Sequence, residues 1–112
     1  MQKIKVLVVD DHPFFREGLR NVLSSADDLQ VVGEAGDSAE AIQASYTFKP
    51  DVIIMDINIP VLNGMQATRR IKKLYPDISI IMLTAYDDDE QIYHAIRTGA
   101  SAYYPKDVSP EH

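Results

Sequence analysis

Three short apolar runs, each ending in a reactive polar residue, restrict this chain more than any other feature. Val6-Leu7-Val8-Val9 runs into Asp10-Asp11, Val52-Ile53-Ile54-Met55 runs into Asp56, and Ile78 to Leu83 runs into Thr84. A fourth run, Ala102-Tyr103-Tyr104, precedes Pro105 and Lys106. Runs this short and this rich in β-branched residues read as strands. Their near-continuous apolarity predicts a sheet covered on both faces, as parallel sheets are. Parallel neighbours bring all their carboxyl ends to one edge, where open α/β sheets bind ligands.

The intervening segments have helical spacing, so the chain reads as successive βαβ units. The first strand is Ile4 to Val9. Pro13 opens a helix in which Phe15, Leu19, Val22 and Leu23 recur at helical intervals until Ser24-Ser25. Leu29 to Gly33 is the second strand, and Asp37 with Glu40 resembles a capping box opening a helix through Ala41, Ile42 and Ala44. Asp51 to Asp56 is the third strand, and a loop follows it through Pro60 to Asn63-Gly64. Met65, Ile71 and Leu74 are the expected inner stripe of the third helix, which Pro76 stops. Ile78 to Leu83 is the fourth strand, a helix from about Asp88 to Arg97 closes at Thr98-Gly99, and Ala102 to Tyr104 is the fifth. Val108 to Glu111 looks like the start of a further helix, so the last helix is expected to be missing or truncated here.

Length allows one domain with a single core. Seventeen acidic residues oppose eleven basic ones, and no basic stripe is available for a phosphate backbone, which argues against direct DNA or anionic-membrane binding. The chain contains no cysteine, which removes thiol catalysis and thiolate metal sites. The first apolar run is too short for a signal peptide or a membrane span, and a cytoplasmic location is expected.

Asp10, Asp11 and Asp56 would therefore meet at one strand edge, with Thr84 and Lys106 near them. Carboxylates so close repel one another, and a hard divalent cation with oxygen ligands, Mg²⁺ before others, keeps them ionised. A carboxylate beside such an ion, facing a hydroxyl and an ammonium, suits in-line phosphoryl transfer. Taken singly, these residues have blander explanations. Asp10-Asp11 could cap the first helix, Asp56 could open a loop, and a threonine or lysine at a strand end is ordinary. His12, His94 and His112 lack paired ligand spacing and read as solvated or packing residues. The methionines read as core fillers.

In combination, Asp10-Asp11, Asp56, Pro60, Gly64, Thr84-Ala85 and Lys106, in this order and at these separations, resemble the receiver domain of bacterial two-component response regulators. The resemblance covers Ile4 to Asp107. The wording Val-Asp-Asp-His-Pro, Val-Val-Gly-Glu-Ala and Lys-Asp after the fifth strand is similar to the LuxR/NarL/FixJ subfamily, whose members carry a helix-turn-helix DNA-binding domain downstream. It implies a doubly wound, flavodoxin-like five-stranded parallel sheet of order 2-1-3-4-5 with helices on both faces. Residues 1–112 would be the receiver domain, with an output domain beyond.

The resemblance also implies roles. Asp56 would take a phosphoryl group from a phosphohistidine on a sensor histidine kinase, or from a small donor such as acetyl phosphate. Asp11 would hold Mg²⁺ (or Mn²⁺) directly, Asp10 largely through water, with Asp56 and the backbone carbonyl of Asn58 completing the protein's ligands. Thr84 would donate its hydroxyl to a phosphoryl oxygen beside the Ala85 N–H, and Lys106 would pair with the charge. Tyr103 would turn inward as Thr84 moves. Activation would produce a homodimer, DNA would be bound only through the downstream domain, and no membrane is involved.

A non-phosphorylated pseudo-receiver is the alternative, disfavoured because every reactive position is filled. An aspartate-nucleophile phosphatase would carry a second acid two residues after the nucleophile, where this chain has Asn58, and a flavin carrier would not place two carboxylates after its first strand. The resemblance also places Tyr86, two residues past Thr84, at a position flanking the water route, where it would screen water from a phosphorylated Asp56. Tyr86→Ala is expected to lose its phosphoryl group faster in a single-turnover decay; an equal or slower decay would remove this role.

Overall fold

The computed structural model describes residues 3–56, 64–83 and 102–104. In chain order it places β1 (Ile4–Val9), α1 (Pro13–Ser24), β2 (Leu29–Ala35), α2 (Ser38–Phe48), β3 (Val52–Asp56), α3 (Gly64–Leu74), β4 (Ser79–Leu83) and β5 (Ala102–Tyr104). All strand pairs are parallel, and the sheet order is β2-β1-β3-β4-β5. The expected α/β architecture and strand order are present. The helix expected over 88–97 and the start of a last helix lie outside the described residues.

The continuous apolarity of Val6–Val9 in β1 and Val52–Met55 in β3 has a direct structural cause. Leu7, Val9, Ile53, Met55, Ile80 and Met82 point to the face packed by Ala41 and Ala44 of α2 and Ala67 and Ile71 of α3. Val6, Val8, Val52, Ile54 and Ile81 alternate to the other face, against Leu19 and Leu23 of α1. Successive strand side chains point to opposite faces, so a strand covered on both must be apolar throughout. Ile53, Met55 and Leu7 are fully buried, and truncating one of them to Ala would cost about 2–5 kcal/mol.

Several element edges differ from expectation. β2 continues to Ala35 because a bulge carries it past the glycine: Val6 pairs Val31 while Leu7 pairs Gly33, leaving Val32 as the extra residue. An added Cβ at Gly33 would come 2.7 Å from the Phe48 ring, so the missing side chain lets the end of α2 lie against β2. Ile78 falls outside β4, its N–H bonding the Tyr75 carbonyl in the turn past Pro76.

The inner stripe of α3 is Gly64, Ala67 and Ile71, whereas Met65 and Leu74 are 43% and 55% exposed. Gly64, Ala67 and Ile71 recur at i, i+3 and i+7 and so share the face turned to the core, while Met65 lies about 100° round the helix from Gly64 and Leu74 is its last residue. Met55 and Met82 do fill the core, but Met65 does not. Asp37 caps α2 by accepting from the Glu40 N–H at 2.7 Å. Glu40 reaches back one residue further than a capping box, to the Gly36 N–H at 3.0 Å.

Lys49 ends α2 in the left-handed region, with φ 48° and ψ 60°, its N–H bonding the Ser45 carbonyl. A side chain there costs about 1 kcal/mol relative to glycine. Lys49→Gly is therefore expected to raise stability by about 0.5–1 kcal/mol in a urea titration with an unchanged slope. A loss of stability would mean that the lysine side chain supports the turn.

Candidate functional site

The site begins with strand register. Val9 pairs with Met55, so the next residues along β1 and β3, Asp10 and Asp56, lie side by side at the carboxyl edge. Both are buried, 1% and 3% exposed, while the Asp11 side chain is 32% exposed at the mouth. One ligand atom from each of Asp10, Asp11, Asp56 and His12 falls in a set no more than 4.8 Å across. The predicted carboxylate cluster is therefore assembled.

Ionised carboxylates gathered this closely repel one another. Among the described residues, Asp10 Oδ2 and Asp11 Oδ1 are buried side-chain oxygens that accept no hydrogen bond. Such oxygens, with a third carboxylate beside them, are the donor set of a hard divalent cation.

The loop out of β1 is held from several sides. The Asp10 N–H donates to the Ala35 carbonyl at 3.0 Å, which extends the β1–β2 ladder by one residue. Arg16, on α1, donates from Nη1 to the Asp10 carbonyl at 2.7 Å and from Nε to Glu34 Oε1 at 3.2 Å. Arg20 donates to the other oxygen of Glu34 at 2.8 Å. Two guanidinium groups thus tie α1, β2 and the end of β1 together.

The helix cap is a correction. His12, not either aspartate, occupies the N-cap of α1, its side chain makes no capping bond, and Pro13 follows in the first turn. Asp10 Oδ1 accepts from the His12 N–H at 2.7 Å, closing a local turn that aims the carboxylate across the sheet edge. His12 is also more than a solvated residue: its Nδ1 hydrogen-bonds Asp10 Oδ1 at 3.0 Å and lies 3.0 Å from Asp11 Oδ1. Neither Arg16 nor His12 carries a sequence signature that marks it as part of the site. The adjacency of His12 to the acidic pair was visible, but a lone histidine has no spacing signature.

Asp56 pairs in register with Leu83, the residue before Thr84 in the sequence. Thr84, Ala85, Asn58 and Lys106 lie outside the described residues. The backbone of Tyr103 is in β5, opposite Met82.

The chain belongs to the response regulator receiver domain family, whose sequence pattern matches residues 6–112. It is thus a receiver domain of the two-component type, a regulatory class. It is 38% identical over 109 residues to the transcriptional regulatory protein DegU of Brevibacillus brevis, covering 97% of this chain and 46% of DegU. It is 42% identical over 106 residues to the response regulator VraR of Staphylococcus aureus strain Mu3, covering 95% of this chain and 51% of VraR. The fold matches a solved two-component response regulator of the LuxR family from Aurantimonas sp. SI85-9A1 with a TM-score of 0.78 and 32% identity, over 99% of this chain and 79% of that one. The chain spans about half the length of the curated relatives it matches.

If repulsion among the carboxylates is the dominant local strain, Asp11→Asn is expected to raise stability in chelator by about 1 kcal/mol, because it removes one charge at the partly solvated mouth. Added Mg²⁺ should stabilise the unmodified chain more than the variant. Thermal melts with and without Mg²⁺ measure both; a variant less stable in chelator would show that the Asp11 charge supports the fold.

Proposed function

We propose that this receiver is switched by phosphorylation of Asp56 and controls an effector, a transcriptional output, attached downstream. One observation carries the reading: Asp56 is buried at the end of the central strand with its carboxylate gathered beside those of Asp10 and Asp11. The relatives' names as a transcriptional regulator and a response regulator support the output class.

The donor set fits a divalent cation, on the strength of the two buried oxygens that accept no hydrogen bond. Asp11 would hold Mg²⁺ or Mn²⁺ directly, Asp10 largely through water, with Asp56 and the Asn58 carbonyl. When bound, the ion neutralises the carboxylates and the phosphoryl oxygens, which is its main contribution to in-line transfer.

The chain's own residues do the rest. A carboxylate oxygen of Asp56 attacks the phosphorus of a phosphohistidine on a sensor kinase, forming the O–P bond as the N–P bond breaks and the imidazole leaves. Lys106 pairs with the transferred charge, and Thr84 donates its hydroxyl to a phosphoryl oxygen beside the Ala85 N–H. The same displacement from Thr84's resting position draws Tyr103 inward, which biases an existing two-state equilibrium. The changed surface around β4 and β5 then favours a homodimer, and DNA is reached through the downstream domain. These steps belong to a cytoplasmic signalling protein.

Incubation with acetyl phosphate and Mg²⁺, followed by intact mass measurement, tests the reading. The unmodified chain should gain one phosphoryl group and Asp56→Asn none. Uptake by that variant at another residue would overturn the assignment of Asp56. A complete lack of uptake by the unmodified chain would leave a pseudo-receiver that works by interaction alone.

A further inference from the structure

His12 stands outside the phosphoryl chemistry just described, yet its imidazole lies against the acidic centre. We propose that His12 supplies a nitrogen donor to that centre, so that the site takes first-row transition ions such as Ni²⁺ more tightly than its aspartates alone would, while Mg²⁺ binding stays with the carboxylates. This rests on the reading of the acidic centre as a divalent cation site.

The spacing is that of ligands sharing one ion. Nδ1 lies 3.0 Å from Asp10 Oδ1 and 3.0 Å from Asp11 Oδ1. Neighbouring vertices of an octahedron with bonds of about 2.1 Å are about 3.0 Å apart. Two such edges meeting at one nitrogen put three donor atoms around a common point. The whole set, with Asp56, spans at most 4.8 Å, against about 4.2 Å between opposite vertices at that bond length. A small side-chain adjustment within the set closes the difference, and the His12 side chain is 66% exposed.

A second observation also points to a cation. Asp10 has a side chain only 2% exposed, and its Oδ2 is buried yet accepts no hydrogen bond. The imidazole's present bond goes to Oδ1, so His12 does not satisfy this second oxygen. Donor chemistry then decides which ions gain. Mg²⁺ prefers oxygen and keeps its waters, whereas imidazole suits Ni²⁺, Zn²⁺ and Cu²⁺, whose affinities rise along the Irving–Williams order. One nitrogen added to an oxygen site therefore changes selectivity more than it changes Mg²⁺ affinity.

Calorimetric titration of the metal-free full chain with Ni²⁺ and, separately, Mg²⁺ tests this in the unmodified protein, His12→Ala and His12→Gln. Only Ni²⁺ displaced by excess Mg²⁺ is counted, which excludes ions held elsewhere by His94 or His112. Gln keeps a hydrogen-bond donor toward Asp10 but is a poor Ni²⁺ ligand. Both variants should lose about tenfold or more in Ni²⁺ affinity, with Mg²⁺ affinity changing less than about threefold. Nitrogen hyperfine coupling to a Cu²⁺ probe displaceable by Mg²⁺ should vanish in both. If Ni²⁺ affinity falls no further than Mg²⁺ affinity, or if Gln retains full Ni²⁺ binding, His12 is only a hydrogen-bond partner of Asp10 and the proposal is wrong. If neither ion binds the unmodified chain, the reading of the acidic centre falls, and this one with it.

Discussion

Mutual repulsion among carboxylates is the constraint around which this domain is built. Asp10, Asp11 and Asp56 would separate if their backbones could move, and the fold's task is to prevent that. The means is a pair of strands clamped on both faces: β1 and β3 run in register with nearly every side chain buried, so neither can slide without exposing one face of the core. The ladder bond from Asp10 to Ala35 and the Arg16 bond to the Asp10 carbonyl then hold the first residue past the strand. Hydrophobic burial on two faces thus maintains an unfavourable concentration of charge at one edge.

That division of labour explains what the sequence made legible. The Val6–Val9 and Val52–Met55 runs could be read because double burial leaves no polar residue within them, and the aspartates stood out because they interrupt that pattern at its end. Asp37 was readable as a cap because its effect is local. Contacts that arise only in three dimensions were not readable. Arg16 looks like any charged residue on an amphipathic helix until α1 lies beside β2, and then Glu34 and the Asp10 carbonyl come within its reach.

The misread edges share a cause. Gly33 looked like the end of a strand because glycine weakens strands in isolation; in the sheet it gives room to Phe48 and follows a bulge that lets pairing resume. Met65 and Leu74 looked like an inner face on hydrophobicity alone, but helical spacing from Ala67 and Ile71 turns Gly64, not Met65, to the core. Placement in the assembled fold, rather than the residue's own propensity or apolarity, decided both cases. His12 is the same lesson at the site: its neighbours in space are the carboxylates already beside it in sequence, yet only the turn closed by Asp10 brings its ring back onto them.

The irregularity in β2 also bears on how molecules of this protein meet one another. β2 is an outermost strand of the sheet, and a flat outer strand offers its free N–H and C=O groups to any extended segment of another chain. The extra residue at Val32 breaks the even spacing of that row and twists it, and two residues later Glu34 is held under two arginines. A foreign strand docking there would have to match a broken register beside a fixed cluster of charge. The bulge that fits β2 around Phe48 therefore also guards the sheet against intermolecular strand addition, a safeguard of most value while newly made chains are crowded together.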